Sequence, residues 1–259
     1  MASMHAPSTR APLPLIVALP PLPPDERRAE RERDLAILHA EMRACEQCVL
    51  AGYLAQASGV AGYRGRIGNR VMLIGQAPGH LSVERGEPFS GPGGKTLDRW
   101  LTMAGYEPGA LRSEAYLSAM TKCDPGRNPR GDGDRKPSAP ELALCSPFLL
   151  RELELVRPAA ILLVGGMAIT AFLGTQKLDD VVGRAYLSTP EGPVEIAPSD
   201  EEAESSIASH TTNADVAYAR LLPLPHPSGV SRWMNDPAHQ ALVAQAMGWL
   251  GRWRRDDFQ

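Results

Sequence analysis

The stretch that decides the fold reads Val71-Met72-Leu73-Ile74-Gly75-Gln76-Ala77-Pro78-Gly79-His80 and continues with Gly86-Glu87-Pro88-Phe89-Ser90-Gly91-Pro92-Gly93-Gly94. Its apolar beginning, bounded by glycine, predicts a buried strand. The Gly- and Pro-rich residues after it predict a loop that leads into a helix from about Gly93. Such a loop lies at the carboxyl end of a strand, where ligands bind in open α/β sheets. An ordinary turn between a strand and a helix is the alternative that the glycines alone leave open.

The end of this stretch, Gly94-Lys95-Thr96, resembles the end of a phosphate-binding P-loop. That motif needs a glycine at the position where this chain has Phe89, so nucleotide hydrolysis is set aside. An aromatic ring in a glycine-rich loop instead indicates a flat surface on which an extruded base can stack. Phe89 as an ordinary core residue is the other interpretation.

Composition limits the class of protein. A chain of 259 residues with 43% hydrophobic residues can bury the core of one sizeable α/β domain. Its net charge of −3 gives no global attraction to nucleic acid, so a DNA-binding face must come from local Arg and Lys residues. Because no apolar run is long enough for a membrane span, we expect a cytoplasmic protein without a membrane partner. We also expect a monomer.

Strand and helix patterns alternate after a Pro- and Ala-rich arm over residues 1–24, which we expect to be extended or poorly ordered. Further strands are predicted at 115–118, 159–165 and 220–224, and helices at 25–43, 93–104, 139–156 and 237–252. A possible hairpin at 185–196 is followed by an acidic, Ser-rich stretch at 199–209, and we expect an insertion at about 187–215. The alternation predicts a parallel sheet with helices on both faces, in a single domain over 25–259.

The four cysteines comprise a Cys-x-x-Cys pair, Cys45 and Cys48, and two distant residues, Cys123 and Cys145. Four thiolates suffice for a tetrahedral zinc site or a [4Fe–4S] cluster, and no cysteine is left over. Either group would attach the N-terminal helix to the core. Spacing does not choose between the two metals, and unrelated buried cysteines are the remaining alternative.

Three motifs follow one another in a fixed order. The first is Gly75-x-Ala77-Pro78-Gly79 with Gly86-x-Pro88-Phe89-x-Gly91, the second Lys122-Cys123 with Pro140-Glu141-x-x-x-Cys145, and the third His226-Pro227-Ser228. Together with the cysteines they resemble the iron–sulfur branch of the uracil-DNA glycosylase superfamily, families 4 and 5. The resemblance covers roughly residues 45–250.

This resemblance implies a three-layer α/β/α sandwich around a four-stranded, mainly parallel sheet. It also implies a structural [4Fe–4S] cluster, with zinc less favoured, and hydrolysis of the N-glycosidic bond of uracil in DNA, with free uracil as a product. His226 would stabilise the departing base and Phe89 would stack on it. The base would also contact Gly75, Gln76, Ala77 and Ala119, and DNA would contact Gly91, Arg127, Ser228, Gly229, Ser231 and Arg232.

The chain departs from the family pattern at three places. Gln76 and, further on, Ser82 and Val83 replace acidic residues, so Glu84, His80 or Gln76 itself would have to orient the attacking water. Ala119 replaces the asparagine that reads the Watson–Crick edge of uracil. A glycosylase for hypoxanthine or xanthine, or a DNA-damage-binding module without turnover, are therefore the alternatives.

Overall fold

The structure is a computed structural model that describes residues 27–58, 62–130, 133–189, 191–196, 219–227 and 232–257. The arm predicted for residues 1–24 lies outside these ranges, as does most of the insertion predicted at about 187–215. None of the helices in the described part of the chain is long and apolar enough to cross a membrane.

Strands and helices alternate along most of the described chain. The strands are β1 (Val71–Gly75), β2 (Ala115–Ala119), β3 (Ala160–Val164), β4 (Ala185–Thr189), β5 (Gly192–Ile196) and β6 (Arg220–Leu224). The helices are α1 (Arg28–Ala44), α2 (Gln47–Leu50), α3 (His80–Arg85), α4 (Pro92–Met103), α5 (Ala110–Ser113), α6 (Ala139–Val156), α7 (Gly166–Leu173), α8 (Leu178–Val181) and α9 (Pro237–Asp257), with a 3-10 helix at Arg232–Asn235.

The strands form one six-stranded sheet in the order β2-β1-β3-β6-β4-β5. The neighbours from β2 to β6 are parallel, as the sequence predicts for these strands. The prediction of a four-stranded sheet is wrong, because the hairpin of β4 and β5 joins the sheet antiparallel to β6. The sheet is therefore mixed, with a parallel part and an antiparallel edge.

Helices cover both faces of the sheet. One face carries Leu73 and Leu162, which belong to a buried cluster that includes residues of α4 and α9. The other face carries Met72 and Ile161, which pack with residues of α1, α6 and α7. Since successive residues of a strand point to opposite faces, the two clusters define three layers, helix on sheet on helix.

The ends of α6 illustrate how local sequence fixes an element. Ser138 and Glu141 form a reciprocal capping box at its beginning. The helix ends at Val156, and Arg157 takes the left-handed conformation with φ 51° directly before Pro158. These signals lie within a few residues of the helix ends, which is why the predicted range of 139–156 is confirmed.

Candidate active site

A cavity of about 670 Å³ lies at the carboxyl ends of the parallel strands. Its lining includes Gln76 after β1, Ala119 at the end of β2, Gly165 after β3 and His226 after β6. The volume falls within the usual range of small-ligand pockets, about 300–1,000 Å³. Parallel pairing is what brings these four segments to one edge of the sheet, so the cavity is a direct product of the topology.

Phe89 contributes its ring to this cavity in a backbone conformation that is rare for a side chain of its size, with φ 53°. A Cβ atom on Gly75 would lie 2.9 Å from Phe89 Cζ, and one on Gly94 would lie 1.8 Å from the Phe89 carbonyl oxygen. That oxygen accepts a hydrogen bond of 3.0 Å from Arg112 Nη2. The two glycines therefore make room for Phe89, and Arg112 holds its backbone in place.

His226 reaches the cavity from the other end of the chain. A Cβ atom on Gly165, which has φ +88°, would lie 3.3 Å from His226 Cδ2, so a glycine is needed there both for its backbone and for the close approach. Desolvation by the cavity walls lowers the pKa of His226 below its usual value although part of the residue is exposed to solvent, and the nearby carboxylate of Asp134 opposes this shift. The imidazole is therefore held mainly neutral at neutral pH, and a neutral imidazole carries one N–H donor.

The loops that follow β1 and β6 are packed against each other. A Cβ atom on Gly93 would lie 3.2 Å from Pro227 Cγ, so the beginning of α4 contacts the His226-Pro227 segment directly. The loop after β1 is also tied to the end of β2, since Met120 N donates to the carbonyl oxygen of Gly75 at 2.9 Å and Thr121 N to that of Gln76 at 3.3 Å. These contacts and hydrogen bonds hold the segments that form the cavity walls together.

Most of the described residues predicted for catalysis, base contact or DNA contact lie at the cavity, namely Gly75, Gln76, Ala77, His80, Phe89, Gly91, Ala119, Arg127 and His226. Glu84 is not among the lining residues; it is an exposed residue of α3 whose Oε1 lies 3.1 Å from His80 Nε2. Arg232 is exposed in the 3-10 helix and does not line the cavity either. Ser228, Gly229 and Ser231 lie outside the described residues.

Sequence reasoning missed Asp134, which supplies the only carboxylate among the described residues that line the cavity. It comes from the long loop between Cys123 and Cys145, in which the family resemblance identifies only Arg127 as a contact residue. Asn128 and Lys136 of the same loop also line the cavity. The available signal is the length of this loop together with the neutral residues Gln76, Ser82 and Val83 at positions where the family has acidic ones.

A second, small cavity of about 20 Å³ is lined by all four cysteines. Lys122 N donates to Cys145 Sγ at 3.2 Å, and Ser58 N donates to Cys123 Sγ at 3.4 Å. Burial, together with the proximity of the other thiols, raises the pKa of Cys48 and of Cys123, and that of Cys145 to about 11. Within the described ranges, however, no three His, Cys, Asp or Glu side chains are arranged to hold a single metal ion.

Fold and site together define an α/β protein with a pocket at the carboxyl ends of its parallel strands, an aromatic residue in the pocket wall and a histidine whose pKa is lowered. The sequence profile of the Uracil DNA glycosylase superfamily matches residues 62–250. The chain belongs to this superfamily, which confirms the family predicted from the motifs.

Similar proteins include the Type-4 uracil-DNA glycosylase of Pyrobaculum aerophilum, 31% identical over 158 residues that cover 59% of this chain and 74% of the relative. The Type-4 uracil-DNA glycosylase of Thermotoga maritima is 30% identical over 57% of this chain and 70% of its own length. A Type-5 uracil-DNA glycosylase of P. aerophilum is 31% identical over 42% of this chain and 50% of its own length.

Proposed function

We propose that this protein hydrolyses the N-glycosidic bond of uracil in DNA and leaves an abasic site, with water as the nucleophile. Superfamily membership and the names of the relatives confirm the enzyme class predicted from the sequence. The observation that carries the proposal is that Phe89 and His226, from the two glycosylase motifs, line one cavity at the sheet edge.

Binding of the base depends on the loop after β1. A uracil extruded from the DNA stack would lie against the ring of Phe89, and extrusion costs a few kcal/mol that contacts in the pocket must offset. Phe89 suits this role because its position is fixed by the surrounding glycines and by Arg112. A fixed ring loses little side-chain freedom when the base binds, so more of the stacking energy goes into binding.

Bond cleavage requires donors at the base. As the bond between C1′ of the sugar and N1 of uracil breaks, negative charge develops on uracil, largely at O2. A neutral His226 can donate an N–H to this oxygen, and main-chain N–H groups of residues 75–77 can assist. Donors that are already oriented stabilise the departing anion without reorganisation, which is the main source of catalysis in sites of this kind.

Base selectivity must have an unusual origin because Ala119 has no polar side-chain atom. Its carbonyl oxygen already accepts a hydrogen bond of 2.7 Å from Lys122 Nζ. The Watson–Crick edge of the base therefore has to be read by other groups, and a preference for hypoxanthine or xanthine is the second candidate activity that Ala119 favours.

We also propose that the four cysteines hold a [4Fe–4S] cluster. The donor set fits, because four thiols surround one cavity and two of them accept backbone N–H bonds of the kind that stabilise bound thiolates. In a [4Fe–4S] cluster each thiolate binds a different iron atom. Four sulfurs that do not converge on a single point therefore suit a cluster better than they suit one zinc ion. Its contribution when bound is structural: it would join the chain around α2 to α6.

DNA contact outside the pocket remains a proposal based on charge and position. Arg127 and Lys136 lie at the cavity wall, and Arg232 belongs to the segment 229–233, which by the family resemblance would enter the DNA groove. Lys and Arg side chains at such places neutralise phosphates and set the position of the protein on the duplex. Gly91, Ser228, Gly229 and Ser231 remain predicted contacts.

The test is a cleavage assay on single- and double-stranded oligonucleotides that contain uracil, hypoxanthine or xanthine. We expect alkali-labile sites at uracil. Cleavage only at hypoxanthine or xanthine would move the assignment to the second activity. Tight binding to all three substrates without any alkali-labile site would indicate that the protein is a DNA-damage-binding module without turnover.

A further inference from the structure

We propose that Asp134 is the general base of this glycosylase, the carboxylate that orients the attacking water and accepts its proton. This inference rests on the proposed function and assigns a residue that the family motifs do not supply in this chain. Its starting point is the shortage of acidic groups at the pocket. Gln76 and Ser82 are neutral, and Glu84 is an exposed residue outside the cavity.

Asp134 enters the pocket opposite the first glycosylase motif. A Cβ atom on Gly79 would lie only 2.8 Å from Asp134 Oδ2. Gly79 itself has φ −89° and ψ 171°, a conformation open to any residue. The backbone therefore does not explain the glycine, and the close approach of the carboxylate does. The loop after β1 therefore contacts the loop between the third and fourth cysteines at Gly79 and Asp134.

The loop that carries Asp134 is braced on both sides of it. Asn128 N donates to the Gly133 carbonyl oxygen at 2.9 Å, and Arg135 N donates to that of Gly126 at 2.8 Å, so the segment folds back on itself. The guanidinium of Arg135 then binds both carboxylate oxygens of Glu141, each at 2.7 Å. Glu141 belongs to the capping box of α6, so the residue next to Asp134 is anchored to a long helix. A catalytic carboxylate needs this kind of support.

The charges around Asp134 suit a base that is ionised at neutral pH yet able to accept a proton. Burial and the neighbouring Asp124 raise its pKa, while Arg127, His80 and His226 lower it. Arg127 Nη1 lies 3.9 Å from Asp134 Oδ1, too far for a hydrogen bond. Lys136 is the other basic residue of this loop at the cavity wall. A carboxyl with a raised pKa is a better proton acceptor than an ordinary one.

The proposed step balances in atoms and charge. The water oxygen forms a bond to C1′ of the deoxyribose, and one proton of the water passes to the Asp134 carboxylate. The C1′–N1 bond breaks, and its electron pair leaves with uracil as an anion that His226 stabilises. Release of the proton from Asp134 to solvent, and uptake of one by the uracil anion, returns the enzyme to its starting state.

The deciding experiment measures single-turnover cleavage of uracil-containing DNA by the full chain and by Asp134→Asn across a pH range, with DNA affinity measured in parallel. We expect the variant to cleave about 10²- to 10⁴-fold more slowly. We expect its DNA affinity to be undiminished, because a negative charge near phosphate is removed. The rate of the wild type should fall as the pH drops through the pKa of Asp134, and this acidic limb should be absent in the variant.

Two further variants separate catalysis from structure. Asp180→Asn changes an exposed aspartate in α8, away from the cavity, and should leave the rate unchanged. Arg127→Ala removes the nearby cation and should weaken DNA binding while the acidic limb persists. An Asp134→Asn protein that cleaves at the wild-type rate, or that slows but keeps the acidic limb, would overturn the inference while the proposed function stands. A wild-type protein that never cleaves uracil-containing DNA would overturn both.

Discussion

Lys122 and Glu152 form an ion pair of 2.6 Å in which the two side chains are 2% and 0% exposed. Lys122 lines the cysteine cavity, and Ser118 and Ala119, which its Nζ contacts, line the larger cavity. Lys122 Nζ also donates to Ser118 Oγ at 2.6 Å and to the Ala119 carbonyl oxygen at 2.7 Å. Ser118 and Tyr116 donate to the two oxygens of Glu152. A buried charge pair is tolerated only when its remaining hydrogen-bonding capacity is satisfied, and this network does so.

Removal of either charge should therefore destabilise the fold strongly. We expect Lys122→Met or Glu152→Gln to lower the free energy of unfolding by about 3–5 kcal/mol, because each leaves a buried group of the network without its partner. Denaturant unfolding, followed at equal metal content, measures this change.

The exposed pair of Arg28 and Glu32 provides the control. Their side chains are 55% and 52% exposed and lie 3.1 Å apart on α1. Arg28→Ala should change the free energy of unfolding by less than about 1 kcal/mol. Equal effects at the buried and the exposed pair would contradict the importance given to the buried network. The double variant Lys122→Met/Glu152→Gln should cost less than the sum of the two single variants.

Local signals explain which parts of the fold the sequence predicts. The parallel strands and α6 are recognisable because apolar runs, caps and prolines lie inside or beside them. The pairing of β4 with β6 depends on how a hairpin docks far along the chain, and no local pattern encodes it. The prediction therefore found the hairpin but not its place in the sheet.

The residues of the candidate site likewise divide into those that a local motif predicts and those that depend on contacts between distant segments. Phe89 and His226 are predictable because each sits in a recognisable motif. Asp134 is not, since its position depends on a fold-back hydrogen bond and on the Arg135–Glu141 pair within a long polar loop. Glu84 is predicted at the site because the sequence pattern does not indicate α3; this helix puts Glu84 one turn after His80, at an exposed position.

Stability should depend on pH through His39. Burial, with Arg43 and Lys122 nearby, lowers the pKa of this half-buried histidine to about 4. Tyr116 OH donates to Glu152 at 2.9 Å and lies 2.8 Å from His39 Nε2, which assigns the imidazole proton to Nε2. In the unfolded chain the pKa is about 6.5. Between these values the unfolded chain binds a proton that the folded protein does not.

The folded protein should consequently lose stability as the pH falls from about 6.5 towards 4, and this contribution is fully present above that window. His39→Gln keeps an N–H donor but does not titrate, so its thermal unfolding midpoint should depend less on pH in this window. Parallel curves for wild type and variant would show that His39 does not carry the dependence.

His226 should act on the chemical step. We expect His226→Ala to lower the single-turnover rate about 10²- to 10³-fold, as for the loss of an oriented donor at a developing anion, with little change in DNA affinity. His226→Gln retains an N–H donor and should lose less. A full rate in His226→Ala would remove the residue from the mechanism, and a loss confined to DNA affinity would make it a binding residue.

Metal content should follow the cysteines. Protein purified without oxygen should be yellow-brown, because thiolate-to-iron charge transfer absorbs visible light, and should contain iron. Cys45→Ser and Cys145→Ser should lose iron and unfold at lower temperature than the wild type, because a group bound only by the folded state stabilises it. A colourless wild-type protein with one zinc ion would contradict the cluster.

The contact between Gly79 and Asp134 gives a prediction that tests the position of the Asp134 carboxylate separately from the stability of the fold. Gly79→Ala places a methyl group about where Asp134 Oδ2 now approaches, since the ideal Cβ lies 2.8 Å from that oxygen. Alanine can adopt φ −89°, so the backbone need not change and stability should be nearly unaffected. The carboxylate, at the end of a side chain, has to move. A shift of about 1 Å at a reacting group can cost about 10²-fold in rate, and we expect a loss of up to this size.

A double-mutant cycle shows whether that loss passes through Asp134. If it does, adding Gly79→Ala to Asp134→Asn should slow cleavage no further, because the displaced carboxylate is already absent. Gly248→Ala is the matched control: a Cβ there meets nothing within 4 Å, so the rate should not change. Full additivity of Gly79→Ala and Asp134→Asn would mean that the methyl group acts on the loop or the base instead, and that the carboxylate beside Gly79 does not hold the water.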